Sequence, residues 1–172
     1  GVLCLRPGVT LPNLMFGAGH EKGRRPGTEN VLEIVGLGTA CALARADLAT
    51  EGTRLAALRD RLQDGLLTAF PAARINGGGA DRLPNTLSIS FPDLTAADVI
   101  AATPGVAMSA GAACHGDGGV TISHVLQAMG VPANPALGTV RISVGRMTTD
   151  EEVATGLALI SEGVKAAYAA AK

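Results

Sequence analysis

The spacing of apolar residues changes along this chain, and each change marks a different kind of element. Val2 to Arg6 is a short apolar run closed by Pro7-Gly8, which predicts a buried or edge strand and then a turn. A chain that opens in mid-strand, without Met or a leading turn, is expected to be part of something longer. From Leu11 to Thr28 no period survives; Gly, Pro and charge dominate, and the stretch reads as a loop. Thr28-Glu29-Asn30 then offers capping side chains. Val31, Ile34, Val35 and Leu37 begin a helical spacing that runs on through Ala40, Leu43 and Ala44. Glu51-Gly52-Thr53 is expected to break or kink that helix. A second helix is predicted from Leu55, Leu58, Leu62 and Leu66, ended by Pro71.

Past Ala73 the period drops to two. Arg74-Ile75-Asn76 reads as a short strand before Gly77-Gly78-Gly79. Leu87, Ile89 and Phe91 alternate with Ser88 and Ser90, which predicts a strand with one buried face. Thr95-Ala96-Ala97-Asp98 has capping-box spacing and starts a short helix. Val106 to Ala110 is the next strand, and Ile122, Val125, Leu126 and Met129 form a helix ended by Gly130 and Pro132. Val140, Ile142 and Val144 alternate with Arg141 and Ser143 as another strand. Thr149-Asp150-Glu151-Glu152 starts a last helix, with Val153, Leu157, Ile160, Val164 and Tyr168 on its apolar face. From Arg74 onward the order predicts an α+β layer, a small sheet covered by helices. The helices before it read as a connection from another domain.

Composition narrows the function classes. Aromatics are 2% of the chain and the net charge is −1, with no basic run beyond Arg24-Arg25, which argues against nucleic-acid or membrane-surface binding. No signal-peptide pattern opens the chain, and no apolar run approaches a bilayer span. The three cysteines form no CxxC and no even framework, which fits free thiols in a reducing cytoplasm. Gly17 and Gly19 lack the flanks of a dinucleotide loop, and Lys22 is not placed as in a P-loop.

Candidate chemistry centres on Cys114. It follows a strand, sits among Ala and Gly, and is followed by His115-Gly116-Asp117-Gly118-Gly119, a backbone costly to order. A mobile, open thiol is one reading and a small buried thiol is the other. For Cys4 and Cys41, inside apolar patterns, the buried reading holds. His115 could lower the thiol pKa or act as an acid–base group, or be a solvated surface histidine. A dyad of Cys114 with His20 or His124 is open, whereas a Cys/His metal site has poor spacing, since no second thiol lies within a few residues. Arg141, within an alternating strand, is either a solvated edge residue or a planar fork for a carboxylate in a cleft; Arg146 reads as structural. Thr28 is either an anion ligand at a helix start or a plain cap.

Four stretches in this order resemble the cysteine desulfurase family of pyridoxal-phosphate enzymes, of class V aminotransferase fold type. They are Gly23-Arg24-Arg25-Pro26-Gly27-Thr28-Glu29-Asn30, Leu83-Pro84-Asn85-Thr86, Ser109-Ala110-Gly111-Ala112-Ala113-Cys114-His115 and Val140-Arg141-Ile142-Ser143-Val144-Gly145-Arg146-Met147-Thr148-Thr149. The Gly-Ala-Ala-Cys-His form is also similar to selenocysteine lyases. The resemblance implies that residues 1–30 are the tail of a large cofactor-binding domain, 31–73 connecting helices and 74–172 a small C-terminal domain carrying the cysteine loop. It implies that Cys114 takes sulfur from L-cysteine as a persulfide, releasing alanine, with His115 next to it in sequence; selenocysteine is the substrate in the selenocysteine-lyase alternative. Arg141 would clamp the substrate carboxylate, and Thr28 would bind the phosphate of pyridoxal 5'-phosphate across a homodimer interface. The loop from His115 to Thr121 would carry the persulfide to a sulfur-acceptor protein. The family's Schiff-base lysine, and the His and Asp that flank the pyridine ring, have no counterpart among Lys22, Lys165, Lys172 and their surroundings. The chain alone is therefore not expected to turn over cysteine. A non-catalytic sulfur relay or binding module is a further possibility, and the acceptor's pathway, such as iron–sulfur assembly, is left open.

Overall fold

The protein is described from a computed structural model, which covers residues 2–110 and 122–171. Its contacts fall into two units, Gly1–Asp47 and Leu48–Lys172.

In the first unit, Val2 to Arg6 does not form the expected strand. A strand needs a neighbour to satisfy its backbone, and none pairs with it among the described residues; Val2 and Leu3 are 67% and 63% exposed. The turn after it does form, with Gly8 at φ 83° and Val9 N–H bonded to the Arg6 carbonyl. The Gly-rich stretch closes into a tight turn, pinned by an antiparallel bridge between His20 and Arg25. Helix α1 begins at Val31. Its cap is Asn30, whose Oδ1 accepts from the Glu33 N–H at 3.2 Å. The apolar residues of this part of α1, among them Val31, Leu32, Val35 and Leu43, are exposed. So are Cys4 and Cys41, contrary to the buried reading. The apolar pattern around both thiols is real, but within this unit no layer covers it.

α1 runs without interruption from Val31 to Ala69, 39 residues, so the expected break at Glu51-Gly52-Thr53 does not occur. One Gly in a helix costs only about 1 kcal/mol. It is flanked here by an ion pair one turn long, Glu51 with Arg54 at 2.6 Å.

In the second unit, α1 contributes Leu58, Leu62 and Leu66 to the core. The sheet has four strands, β1 (Arg74–Ile75), β2 (Thr86–Ser90), β3 (Ser109–Ala110) and β4 (Thr139–Ser143), in the order β1-β2-β4-β3 and antiparallel throughout. Alternation sorts its faces. Leu87, Ile89, Val140 and Ile142 are buried and share one core with α1 and with Val153, Ile160 and Val164 of the last helix, α5 (Asp150–Ala170). Helix α2 (Ala96–Ala101) starts with the expected capping box, Thr95 with Asp98, and α5 with another, Thr149 with Glu152. Helix α3 (His124–Ala128) is capped by Ser123. The single turn α4 (Ala133–Leu137) escapes the sequence pattern, since five residues show no period to read. Beyond it, Gly138 lies so close to the Phe91 carbonyl that a Cβ would overlap it. No helix among the described residues is long and apolar enough to cross a membrane.

Candidate functional site

The sheet's second face is polar. Period-two alternation puts Thr86, Ser88 and Ser90 of β2 and Arg141 and Ser143 of β4 on it, opposite the buried Leu87, Ile89 and Ile142. Arg141 stands at the middle of this face. Across the ladder it pairs with Ser88 on β2 and with Ser109 on β3, so small hydroxyl side chains flank the guanidinium on both sides. Arg141 is exposed, and among the described residues no hydrogen bond or ion pair engages it. It is not an edge residue: β4 lies between β2 and β3. The sheet thus fixes the Arg141 backbone and leaves the fork without a partner among the described residues, a group suited to an anion.

The ends of β4 are fixed by the sequence stretches around it. Val144 N–H donates to the Asn85 carbonyl at 3.0 Å, and Asn85 Nδ2 donates back to the Val144 carbonyl at 3.3 Å. The turn that follows is closed by Thr148, whose Oγ1 accepts from the Gly145 N–H at 2.9 Å. Arg54 of α1 then clamps the turn, donating to the carbonyls of Thr148, Arg146 and Gly145 at 2.9, 3.0 and 3.2 Å. The Arg54 hydrogen bonds hold the Glu51 carboxyl below its ordinary pKa. Nothing in the local sequence singles out Arg54 as a clamp on this turn, because the carbonyls it engages there lie more than ninety residues away.

On the side of β2 away from Arg141, Asn76 Nδ2 donates to both Ser88 Oγ (3.2 Å) and Ser90 Oγ (2.9 Å). Ser90 Oγ meets Thr139 Oγ1 at 2.7 Å, and Thr139 Oγ1 donates to the Pro135 carbonyl at 3.2 Å. Strand alternation flags the two serines as a polar face; their connection through Asn76 and Thr139 appears only in the fold.

Thr28 belongs to the first unit. It precedes α1 by three residues and is exposed; the cap role falls to Asn30, and nothing among the described residues engages the Thr28 hydroxyl. The turn before it is built by its neighbours. His20 Nδ1 meets Glu29 Oε2 at 2.8 Å, and the Glu21 N–H reaches the other carboxylate oxygen at 3.4 Å. Glu21, Lys22 and Gly23 are all at positive φ (51°, 61° and 79°). Hydrogen bonds from its own backbone N–H, from His20 and from the Glu21 N–H lower the Glu29 pKa. Arg25 turns its guanidinium onto the Pro26 and Gly27 carbonyls at 3.1 and 2.6 Å, so it serves the turn itself.

Cys114 and His115 lie outside the described residues; Ser109, the partner of Arg141, is five residues before Cys114 in the sequence. Of the other candidate histidines, His20 is committed to Glu29 and His124 is exposed at the start of α3. Among the described residues no group of three or more His, Cys, Asp or Glu gathers to hold a metal ion.

Residues 9–155 match the aminotransferase class-V family. The chain is 44% identical over 155 residues to a cysteine desulfurase of Gluconacetobacter diazotrophicus, covering 89% of this chain and 38% of that protein. It is 42% identical over 155 residues to cysteine desulfurase NifS of Azotobacter vinelandii, with the same coverage of 89% and 38%. Among solved structures, a NifS-like protein superposes with a TM-score of 0.78 at 34% identity, over 94% of this chain and 41% of that one. The chain thus spans well under half the length of the relatives it matches.

Proposed function

The chain belongs to the class-V aminotransferase family, and from that premise we propose that it carries the C-terminal portion of a pyridoxal-phosphate-dependent cysteine desulfurase. On this reading residues 1–30 close the large domain, 31–73 connect, and 74–172 form the small domain. The observation that carries the reading is Arg141: an unengaged guanidinium in mid-sheet, beside the strand that leads to Cys114. Such a fork suits the α-carboxylate of an amino acid, and a thiol five residues past its strand partner Ser109 suits its sulfur.

The first unit fits one end of the cofactor. The exposed Thr28 hydroxyl, next to Gly27 and just before the N-terminus of α1, is a combination that takes a phosphate. Thr28 would hold that phosphate, across the interface of a homodimer. None of Lys22, Lys165 and Lys172 has the sequence setting of the family's Schiff-base lysine, so on this reading the lysine that anchors the ring lies outside this chain. Bound pyridoxal phosphate supplies an electron-accepting ring that labilises the Cβ–Sγ bond of cysteine.

The residues of this chain do the rest. Arg141 binds the carboxylate and fixes the amino acid on the polar face. Cys114, as thiolate, attacks the substrate Sγ, with His115 next to it to exchange the thiol proton. The sulfur–sulfur bond forms as the Cβ–Sγ bond breaks; the bonding pair stays with the substrate, which is protonated and leaves as alanine. The persulfide on Cys114 then passes its outer sulfur to an acceptor protein. The full-length protein loaded with cofactor should release alanine from L-cysteine, and Cys114→Ala should abolish the release. Undiminished release from Cys114→Ala would overturn the assignment.

A further inference from the structure

We propose that Ser88 is a second carboxylate-binding residue, donating its hydroxyl proton beside the Arg141 guanidinium to the α-carboxylate of the amino-acid substrate. The inference rests on the reading of Arg141 above, and deepens it.

The direction of the hydroxyl chain follows from its fixed end. A backbone carbonyl only accepts, so Thr139 donates to Pro135 (3.2 Å) and must accept from Ser90 at 2.7 Å. That uses the only proton Ser90 has. Ser90 Oγ therefore accepts at its other contact, from the amide nitrogen of Asn76 at 2.9 Å. A flipped Asn76 would place its carbonyl oxygen against a hydroxyl with no proton left to give. The amide orientation is set by this logic, and its second hydrogen reaches Ser88 Oγ at 3.2 Å. Ser90 and Thr139 are 0% and 1% exposed, so solvent cannot reverse the chain.

Ser88 ends the branch differently. Its oxygen accepts from Asn76, and its own proton has no acceptor among the described residues. Ser88 is only half-buried, and it stands directly across the ladder from Arg141 on the same face. Directly opposed residues have Cβ atoms about 4.5–5.5 Å apart, so the two side chains are nearest neighbours on this face. Arg141 supplies charge; Ser88 supplies a hydroxyl proton that Asn76, itself a donor at this contact, does not take. A bound carboxylate gains a donor that breaks no hydrogen bond of the protein's described residues.

The test is steady-state kinetics of the full-length, cofactor-loaded protein with L-cysteine. Ser88→Ala should raise KM about tenfold, the equivalent of one hydrogen bond to a charged group, with kcat nearly unchanged. Ser88→Thr, which keeps the hydroxyl on a strand, should retain the parent KM. Arg141→Lys is the control. If Arg141→Lys raises KM and Ser88→Ala does not, Ser88 makes no contact and the inference fails while the reading of Arg141 stands. If neither substitution moves KM, the reading of this face as the carboxylate site fails, and the inference with it. A loss in Ser88→Ala that Ser88→Thr shares would mark a packing role instead, and would also overturn it.

Discussion

Arg141 owes its availability to its neighbours. Two serines across the ladder are too short to shade a guanidinium, and neither carries a charge to neutralise it. Arg141→Ala in the full-length protein should therefore raise the KM for L-cysteine about 10- to 100-fold, the range for losing charge-assisted hydrogen bonds; steady-state kinetics reads this directly. An unchanged KM would return Arg141 to the role of a solvated strand residue. Gly138 makes a different demand. Its φ is ordinary, but a Cβ would overlap the Phe91 carbonyl, so Gly138→Ala should destabilise the second unit by about 1–3 kcal/mol in a denaturant titration. At this scale the sequence was a partial guide. Arg141 stood out by its place in an alternating strand, whereas the buried reading of Cys4 and Cys41 failed because apolar spacing does not say whether a covering layer exists.

Among elements, α1 is where sequence and fold part most clearly. A Gly flanked by Glu and Thr looks like a break, yet the helix continues because Gly52 costs little and Arg54 is anchored far away. Nothing lies near the Cβ that Gly52 lacks, so Gly52→Ala should stabilise the helix by about 0.5–1 kcal/mol, seen as a raised denaturation midpoint. The start of α2 carries a pH signature. Hydrogen bonds from the Thr95 side chain and backbone hold the Asp98 carboxyl below its ordinary pKa. A depressed folded pKa contributes stability that is complete above the unfolded value and is lost as pH falls through the folded one. The first turn of α2 should therefore fray only in acid, below about pH 4, and an NMR titration of Asp98 should have its midpoint under that of an unstructured Asp. An unshifted midpoint would mean that the capping box does not persist in solution. Strands β2 and β4 were legible because one buried face imposes strict alternation; of the expected Val106–Ala110 strand only Ser109–Ala110 pairs, since an apolar run does not say how much of it finds a neighbour. The single-turn α4 and the continuity of α1 were not, since the first is too short to show a period and the second depends on contacts distant in sequence.

For the whole molecule, the order of elements from Arg74 onward and the four sequence stretches give the same answer as the fold: an α+β layer of a class-V aminotransferase. What the sequence could not supply is the wiring. Asn76, Ser90 and Thr139 are unremarkable one by one, and only the antiparallel register joins them into a chain of hydroxyls ending beside Arg141. The same fold pairs Arg141 with Ser109, five residues before Cys114 in the sequence. The claim that unites these features is that Cys114 becomes a sulfur carrier. Intact-mass spectrometry of the full-length, cofactor-loaded protein after brief exposure to L-cysteine tests it most directly. The account predicts added sulfur that maps to Cys114, is removed by reductant and is absent from Cys114→Ala; an unaltered mass alongside continued alanine release, or sulfur retained in Cys114→Ala, would contradict it.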